Sequence, residues 1–391
     1  MESNSSIVDL LRREFVRLYG NNERMIIVRS PGRINLIGEH TDYNEGFVLP
    51  SAIGRAIYLA VAPGNGFEVT VTSLDFKDNY RFESRSPARS EKAWANYLIG
   101  VVAELGKAGY PVTGFKCVYA GDIPIGSGLS SSAAVESGLA FAMNSIFNLG
   151  IERAELARIA QRSENDFVGV RCGIMDQFAN LMSKGESALH LDCRSLDYEY
   201  VPFVRKDLRF VLCDTGVKHS LASSEYNPRR QQCETGVKIV RKYDPRVQSL
   251  RDVGLEMLRE HRDELGDIVF NRCSYVVEEN SRVDSACKCL EQNDYARFGE
   301  FLYLSHQGLR DKYEVSCREL DLLVEAASKI DGVLGARMMG GGFGGCTLNL
   351  VERDSLEDFN GKIKEAYLEK TGKLPQVYEC DLMPGTDVVP D

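Results

Sequence analysis

The sequence predicts an α+β protein built from two domains, and three observations support that prediction. The chain has 391 residues, a length that favours two domains at roughly 150 residues per domain. Apolar, β-branched runs fill its first third, whereas residues 229–330 have an almost wholly helical and highly charged pattern. Strands and helices do not alternate strictly, which argues against a βαβ fold. The pattern changes near Pro202, so we expect domains of residues 1–203 and 204–391.

The first half of the chain begins with an amphipathic helix and continues mainly as strands. Apolar residues recur at helical spacing after Ser6, a candidate helix cap, and Gly20 suits the end of that helix. Apolar runs bounded by Gly, Pro and Asn then predict strands. These strands are residues 25–28, 57–61, 69–74 and 115–119, followed by helices at 131–148 and 152–165 and by strands at 188–191 and 208–213.

The second half is predicted to be mostly helical. After the charged helical region, a glycine-rich turn leads into a strand at residues 347–351, where apolar and polar residues alternate. A helix at residues 354–370 and a short strand near Val377 complete the chain. We find no internal repeat, so a solenoid is excluded.

The composition excludes several classes of protein. Acidic residues number 57 and basic residues 47, which gives a formal net charge of −10, and a surface of that sign repels nucleic acids and anionic membranes. The chain shows no basic leader and no apolar run near the roughly 18 residues of a membrane span. Its 11 cysteines lack framework spacing, which indicates reduced thiols. We therefore expect a cytoplasmic protein. Because its net charge repels anions, any anionic ligand must bind at a local structural feature that favours negative charge.

A polar segment between two apolar stretches is the first candidate site. Residues 30–46 place Arg33, Glu39, His40 and Asp42 close together. The segment has two interpretations, a solvated surface loop or a site that binds sugar hydroxyls, because carboxylates and imidazole accept directional hydrogen bonds. The spacing differs from H-E-x-x-H and follows no helical period, so zinc is disfavoured.

A glycine- and serine-rich segment, residues 121–136, is the second candidate site. It follows a predicted strand and leads into a helix that begins with small residues near Ser131. Gly126 and Gly128 let the backbone approach a ligand closely, and the free amides of a helix start can bind an anion without Lys or Arg. The lysine of the Walker A motif is absent. An ordinary serine-capped helix is the alternative interpretation.

Two further segments carry possible chemistry. Gly340, Gly342 and Gly345 match G-x-G-x-x-G, but a strand follows them, which excludes a dinucleotide site and favours a turn packed against another backbone or a phosphate. Asp176 lies among apolar neighbours in residues 172–177. It is either a satisfied buried acid or a catalytic carboxylate.

Together these segments resemble the galactokinase branch of the GHMP small-molecule kinases. The likeness covers about residues 25–351 and rests on several motifs in the same order. They are residues 32–50, similar to the sugar signature, residues 126–134, similar to the phosphate-binding motif, residues 172–177 and 219–233, and residues 340–345, similar to the C-terminal motif.

The resemblance implies the two-domain GHMP kinase fold, with a mixed-sheet N-terminal domain, a helix-rich α+β C-terminal domain and the active site in the cleft between them. It also implies ATP-dependent phosphorylation of D-galactose at the C1 hydroxyl, which gives galactose 1-phosphate and ADP in the entry step of galactose catabolism. By motif position, Asp176 would orient or deprotonate the C1 hydroxyl, and Arg33 would lie beside that hydroxyl and the transferring phosphoryl group. The sugar-binding residues would be Arg33, Glu39, His40, Asp42, Gly173, Asp176 and Tyr226.

The same resemblance implies ATP as co-substrate and Mg²⁺ as the metal, with Ser132 and Glu164 as magnesium ligands. The nucleotide-binding residues would be Gly126, Ser127, Gly128, Leu129, Ser130, Ser131 and Ser132, with Trp94 near the adenine. Trp94 suits a place in the core equally well. The expected partners are D-galactose and MgATP, with no nucleic acid and no membrane, and the expected state is a monomer or a weak homo-oligomer.

Two alternatives to galactose phosphorylation stay open at this point. One is a kinase of the same fold for galactosamine, N-acetylgalactosamine, galacturonate or arabinose, since one changed side chain can redirect a site that recognises hydroxyls. The complete string Glu-His-Thr-Asp-Tyr-Asn at residues 39–44 favours galactose. The other is a non-catalytic sensor of galactose and ATP, which the complete serine loop and the presence of Arg33 and Asp176 disfavour.

Overall fold

The computed structural model describes residues 2–124, 126–217 and 222–390. Residues 219–221, which begin one of the predicted family matches, lie outside the described residues, as does Ile125 of the glycine-rich segment. The described helices are, in chain order, α1 (Glu2–Tyr19), α2 (Ala93–Lys107), α3 (Ser131–Phe147), α4 (Arg153–Arg162), α5 (Met175–Met182), α6 (Ala222–Arg241), α7 (Leu255–Glu260), α8 (Arg262–Glu291), α9 (Tyr295–Gly308), α10 (Arg318–Ala327) and α11 (Leu356–Thr371).

Strands precede, separate and follow these helices. They are β1 (Ile26–Asn35), β2 (Phe47–Val48), β3 (Pro50–Pro63), β4 (Glu68–Ser73), β5 (Asp78–Glu83), β6 (Phe115–Gly121), β7 (Ser187–Asp192), β8 (Tyr198–Pro202), β9 (Leu208–Asp214), β10 (Val333–Met338), β11 (Cys346–Glu352), β12 (Gln376–Cys380), β13 (Leu382–Met383) and β14 (Asp387–Val388). Two π-helical turns, Ser163–Val168 and Leu309–Tyr313, follow α4 and α9.

The first sheet is mixed and has the strand order β14-β1-β3-β6-β4-β5, with β13 also paired to β3. All its pairs are antiparallel except β4 with β6. Side chains alternate between its faces: Tyr58 and Ala60 pack against α1, whereas Leu59 and Val61 belong to the core on the other face. On that second face α3 and α5 pack against β1 and β3, so one sheet positions the starts of both helices.

The second sheet is antiparallel, with the order β10-β11-β9-β12. Helices α10 and α11 pack on one face of it, and side chains from α9 join the core on the other face. A small third sheet, β2-β7-β8, lies beside α8. Helices α6, α7 and α8 share a separate hydrophobic cluster.

The predicted α+β class with a mixed first sheet and a helix-rich second half is confirmed, and most predicted elements are present. The first helix begins at Glu2 rather than at Ser6, so Ser6 lies inside it. Elements that the sequence did not predict are helices α2 and α5 and strands β2, β5, β8, β10, β13 and β14. The segment around Asp176, predicted to be a loop, forms the start of α5. Among the described residues no helix combines the length and the apolar character that crossing a bilayer requires.

The predicted division at residues 203 and 204 stays a prediction, and the end of the chain qualifies it. Strands β13 and β14 lie in the second half of the sequence but pair with β3 and β1 of the first sheet. An unpaired edge at β1 would expose its backbone hydrogen-bonding groups, and β14 covers it. The last described residues therefore pack with the first half of the chain.

Candidate active site

The strand β1 places Arg33 beside the glycine-rich segment. The register between β1 and β3 shifts between Pro31 and Arg33, and such a shift re-orients the side chains that follow it. The backbone N–H of Arg33 donates to Leu129 O at 3.2 Å. At Gly32 a Cβ atom would lie 2.9 Å from Leu129 O, so only glycine permits this close approach of the two segments.

Arg33 and Asp176 form a two-fold hydrogen-bonded ion pair. Arg33 Nε donates to Asp176 Oδ1 at 2.7 Å, and Nη2 donates to Oδ2 at 3.0 Å. Arg33 Nη1 also donates to the backbone oxygen of Gly128 at 2.6 Å. Although burial opposes the charge on Arg33, the nearby carboxylates, Asp176 first, outweigh it and raise the pKa of the guanidinium. A bidentate pair of this kind fixes distance and orientation together.

Asp176 lies in the first turn of α5 and remains partly open to solvent. Its side chain is 26% exposed, whereas that of Arg33 is 5% exposed. Besides Arg33, the hydroxyl of Ser130 donates to Asp176 Oδ2. The carboxylate therefore joins β1, the glycine-rich segment and α5 at one point, and it also lines a cavity.

The glycine-rich segment ends in an uncapped helix start. Ser130 has φ 59° and ψ 50°, in the left-handed region, and its side chain does not cap α3. Because the first amides of a helix have no partner within it and lie at the positive end of the dipole, this terminus is suited to an anion. The hydroxyl of Ser130 donates to Asp176, and the role of Ser130 in nucleotide binding stays a prediction.

The second glycine-rich turn packs against the first. It joins β10 to β11, as the predicted strand after the motif required. A Cβ atom at Gly340 (φ +80°) would lie 3.2 Å from Gly128 O, and one at Gly345 (φ +79°) would lie 3.2 Å from Ser127 O. The two turns are therefore in backbone contact, which agrees with the prediction of a turn packed against another backbone.

The predicted sugar-binding residues other than Gly173, Asp176 among them, line one cavity of about 140 Å³. That volume is below the roughly 300–1,000 Å³ typical of sites for drug-sized ligands, so the cavity suits one small molecule. Its lining residues are Arg33, Glu39, His40, Asp42, Glu164, Val170, Cys172, Met175, Asp176, Tyr226, Gly340 and Gly341. Predicted residues from four separate sequence segments thus meet in space.

Glu39 is held by an internal network on one side of this cavity. Its Oε1 accepts from Arg337 Nη2 at 2.9 Å and from the backbone N–H of Gly340 at 2.7 Å. Its Oε2 accepts from Asn35 Nδ2 at 2.6 Å. Most of its hydrogen-bonding capacity is therefore used within the protein. Oε2 is the oxygen that can accept a further hydrogen bond.

His40 and Asp42 have protonation states set by burial. Burial, assisted by the charge of Arg229, lowers the pKa of His40 to about 3, so its imidazole is neutral. His40 Nδ1 lies 2.7 Å from the hydroxyl of Tyr43, and its ring packs 5.5 Å from that of Tyr226. Burial, assisted by the charge of Asp176, raises the pKa of Asp42 to about 7.

Gly173 permits the position of Asp42. A Cβ atom at Gly173 would lie 2.0 Å from Asp42 Oδ2, a distance that no real Cβ adopts. Gly173 itself lines an adjoining cavity that also contains Asp42. Its predicted role through the backbone is consistent with this placement, because any side chain there would displace Asp42.

Ser132 and Glu164 are adjacent, as the prediction of a shared magnesium site requires. Ser132 Oγ donates to Glu164 Oε1 at 2.9 Å, and Gln177 Nε2 donates to Oε2 at 2.8 Å. Burial, together with the charge of Asp176, raises the pKa of Glu164 to about 7. Mg²⁺ usually takes one or two protein oxygens and completes its shell with phosphates and water, so a hydroxyl and a carboxylate oxygen fit this ion.

Trp94 lies at the start of α2 and does not line the cavity that contains Asp176. Its indole N–H donates to Asp78 Oδ2 at 3.2 Å, and its ring lies parallel to that of Phe76 at 6.2 Å. Phe76 is 49% exposed. The two rings form an accessible aromatic surface, and the role of Trp94 beside adenine stays a prediction.

Three side chains that organise the site were not among the predicted catalytic, binding or metal-ligating residues. Arg337 is fully buried and holds Glu39, Asn35 holds the other oxygen of Glu39, and Gln177 holds Glu164. Asn35 and Gln177 lie within segments that the sequence had singled out, so their position was a usable signal. A single arginine in β10 carries no such local signal.

Three family models match the chain. The galactokinase galactose-binding signature matches residues 13–63, the GHMP kinase N-terminal domain matches residues 96–184, and the GHMP kinase C-terminal domain matches residues 286–367. The site residues before position 200 fall within the first two matches or between them.

Curated relatives and solved structures agree with those matches. A galactokinase of Roseiflexus sp. (strain RS-1) is 42% identical over 97% of this chain and 97% of its own length. A galactokinase of Clostridium beijerinckii is 40% identical over 97% of this chain and 98% of its own. The crystal structure of Lactococcus lactis galactokinase complexed with galactose superposes with a TM-score of 0.94 at 35% identity, covering 98% of this chain and 100% of that one.

A more distant structure shares the fold alone. Mevalonate kinase of Methanococcus jannaschii superposes with a TM-score of 0.64 at 18% identity, covering 93% of this chain and 100% of its own. At that identity the likeness describes architecture and not substrate.

Proposed function

Because the chain belongs to the galactokinase family of the GHMP kinases, we propose that its site transfers the terminal phosphoryl group of ATP to the C1 hydroxyl of D-galactose. The products are galactose 1-phosphate and ADP. The observation that carries this proposal is the Arg33–Asp176 pair, which lies where the small cavity meets the uncapped start of α3.

The sugar binds in the cavity through its hydroxyls. Asp42, neutral His40 and Tyr226 supply polar atoms around the ring, and Glu39 Oε2 keeps one position for a further hydroxyl. A site built from such groups rejects sugars that lack a matching hydroxyl, because its buried polar atoms would then be left unpaired.

The phosphates of ATP bind at the start of α3. The backbone amides after Ser130 face the ligand, and the helix dipole favours its negative charge. This local arrangement binds a polyanion despite the net charge of −10. Arg33, which contacts Gly128 O of the same segment, adds a fixed positive charge beside the transferring group.

Mg²⁺ would be held by Ser132 and Glu164, whose oxygens are adjacent. When bound, the ion neutralises charge on the phosphate oxygens. Glu164 must be ionised for this role, and its pKa of about 7 makes metal binding depend on pH near neutrality.

Asp176 orients the attacking hydroxyl. Phosphoryl transfer has a loose transition state that needs positioning and charge stabilisation more than covalent chemistry. Asp176 accepts the hydrogen bond of the C1 hydroxyl and receives its proton as the hydroxyl oxygen forms its bond to the terminal phosphorus. The bond from that phosphorus to the β–γ bridging oxygen breaks, and ADP leaves with its electron pair, while Arg33 stabilises the charge on the phosphoryl oxygens.

A panel of sugars in a coupled assay of ADP release tests the proposal. We expect D-galactose to exceed D-glucose, N-acetylgalactosamine, galacturonate and arabinose in kcat/KM by at least about 100-fold. Phosphorus NMR should identify a phosphate ester at C1. A clear preference for another sugar would replace galactose as the substrate. Binding of galactose and MgATP without release of ADP would instead indicate a sensor.

A further inference from the structure

The C-terminal segment of the chain reaches the back of the active site. The backbone N–H of Thr386 donates to Asn180 O at 2.8 Å. Arg153 Nη1 donates both to Thr386 O at 2.7 Å and to Leu181 O at 2.8 Å. Asn180 and Leu181 belong to the last turn of α5, whose carbonyls have no partner within the helix. The segment around Thr386 therefore closes the end of α5.

Helix α5 needs such support because it is short. It has 8 residues, and isolated helices of that length are marginal in water. Its position consequently depends on packing and on the groups that satisfy its ends. Since Asp176 lies in its first turn, the same contacts determine where the Asp176 carboxylate lies.

Asn180, one helical turn after Asp176, connects α5 to β1. Its Nδ2 donates to the backbone oxygen of Pro31, and its Oδ1 accepts from Ser30 Oγ at 3.0 Å. Both partners lie directly before Arg33, at the place where the strand register shifts. One amide side chain thus joins the helix that carries Asp176 to the strand that carries Arg33.

The hydroxyl of Thr386 completes this connection. Thr386 Oγ1 donates to Asn180 Oδ1 and lies 3.1 Å from Ser30 Oγ. The three side chains are buried, at 0% exposure for Ser30 and Thr386 and 1% for Asn180. A buried, satisfied network of this kind specifies one arrangement of its members, because any other arrangement leaves polar atoms unpaired.

We propose that Thr386 is a positioning residue for phosphoryl transfer: it fixes the Asn180 amide and thereby sets the helix with Asp176 against the strand with Arg33. This inference rests on the proposed function, since it assigns Thr386 a part in that reaction. Thr386 touches neither ligand. It acts through the Arg33–Asp176 contacts of 2.7 and 3.0 Å, and a displacement of about 1 Å at a reacting centre can lower a rate about 100-fold.

The effect should fall on turnover more than on sugar affinity. The loop with Glu39 is held separately, by Arg337 and by the hydroxyl of Tyr275, which donates to Glu39 O at 3.0 Å. Tyr226 lies on α6, away from the cluster. Loss of the Thr386 hydroxyl therefore leaves most sugar contacts in place while it loosens the reacting pair.

Steady-state kinetics of substitutions at Thr386 test the inference. Thr386→Val has the shape of threonine without its hydroxyl, and we expect kcat to fall about tenfold while KM for galactose changes less than about twofold. Thr386→Ser keeps the hydroxyl and should retain kcat within about twofold of the unsubstituted protein. The control is Thr72→Val, which removes a hydroxyl that lies 2.9 Å from Tyr19 OH on the α1 side of the first sheet and should change neither constant.

Several outcomes would overturn the inference. The inference is overturned if Thr386→Val leaves kcat unchanged, or if Thr386→Ser lowers kcat as much as Thr386→Val does. It is also overturned if thermal unfolding shows that a loss of folded protein accounts for the whole fall in kcat. If Thr386→Val does not fold, Ser30→Ala tests the same cluster: a selective fall in kcat supports the inference and unchanged kinetics overturn it. Absence of galactose phosphorylation by the unsubstituted protein would refute the proposed function instead.

Discussion

Asp42 shows how the surroundings of one side chain set its protonation state. The carboxylate is buried, and the charge of Asp176 lies nearby, so its pKa rises from 3.8 to about 7. The absence of a side chain at Gly173 leaves space for it. Asp42 therefore changes between its neutral and ionised forms near neutral pH, where a sugar hydroxyl meets either a donor or an acceptor.

This shift predicts a specific dependence of stability on pH. Between about pH 4 and pH 7 the folded chain retains a proton on Asp42 that the unfolded chain has released, so the contribution of Asp42 to stability falls as pH rises. Relative to Asp42→Asn, the unsubstituted protein should lose up to roughly 4 kcal/mol of unfolding free energy across that range. Urea unfolding at several pH values measures the difference.

The comparison needs a control for general effects of charge, and Asp331→Asn, at an exposed position, serves that purpose. If the unfolding free energy of the unsubstituted protein minus that of Asp42→Asn stays constant or rises with increasing pH, the assigned burial of Asp42 is contradicted. The measurement is made without sugar, because a bound ligand would change the environment of the carboxylate.

Most of the site residues predicted from the sequence lie in dense local motifs. Arg33, Glu39, His40 and Asp42 occur in one segment, and in the structure they line one cavity. Arg337 could not be found in this way, because its partner Glu39 lies 298 positions away in the chain. A buried ion pair between distant segments has no periodic or local signal in a single sequence.

The two glycine-rich turns act as one unit. They are in backbone contact, and Gly340 also donates its N–H to Glu39. The turn between β10 and β11 therefore supports the segment proposed to bind phosphate on one side and the loop proposed to bind the sugar on the other. A substitution in this turn should therefore alter binding at both proposed ligand sites.

Substitution of Gly340 tests that connection. In Gly340→Ala a left-handed backbone (φ +80°) gains a Cβ atom 3.2 Å from Gly128 O, so strain and crowding act together. We expect KM for MgATP to rise about tenfold, which corresponds to about 1.4 kcal/mol. Initial-rate measurements with varied MgATP give the result.

Gly66→Ala is the matched control for backbone strain alone. Gly66 has φ +64°, and a Cβ atom there would meet nothing within 4 Å. It lies between β3 and β4, away from both turns. Equal effects of the two substitutions on KM for MgATP would show that contact between the turns is unimportant.

Three elements that the sequence did not predict, α2, β5 and β10, lack a clear periodic pattern of apolar residues, for physical reasons. Helix α2 buries ten of the eleven residues from Ala95 to Leu105, all except Tyr97, so it shows no clear polar face. Strand β5 alternates between intermediate and exposed positions and is rich in charge. Strand β10 contains Gly335 and the buried Arg337, residues that weaken a strand pattern. Periodicity identifies half-buried elements best.

Across the whole molecule, the ion pair between Glu39 and Arg337 joins the two large sheets. Glu39 follows β1 of the first sheet, and Arg337 lies in β10 of the second. The side chains are 1% and 0% exposed. Arg337 also donates to the backbone oxygens of Leu36, Asn35 and Met338 at 2.8, 2.6 and 2.9 Å, so each nitrogen of its guanidinium has a partner.

Removal of this arginine should destabilise the whole fold. Arg337→Met leaves Glu39 buried without its cation, and breaking a buried pair in this way costs about 3–5 kcal/mol of unfolding free energy. The double variant Arg337→Met/Glu39→Gln should recover part of that loss, because its buried group is neutral. Urea unfolding measures both.

The control is Lys362→Met, which removes the exposed pair with Asp358 and should change the unfolding free energy little. An equally small effect of Arg337→Met would contradict the role assigned to Arg337.

The topology of the chain end could not be predicted from the sequence. Two-residue strands such as β13 and β14 are too short for periodicity to reveal, and they pair with strands more than 300 positions earlier. The sheet-rich first third, the helix-rich second half and the motif positions were accessible from pattern, whereas the mixed character of the first sheet was implied only by the family resemblance. The domain division at residues 203 and 204 stays a prediction.

Arg33 and Asp176 are proposed to mark the reacting centre of a galactose kinase. The decisive test compares Asp176→Asn with Asp331→Asn, with kcat measured together with galactose affinity by calorimetry. In Asp176→Asn we expect kcat to fall about 100- to 10,000-fold while the Kd for galactose stays within about threefold, because the other sugar contacts are unchanged. Turnover close to that of the unsubstituted protein, with folding and sugar binding intact, would contradict this proposal.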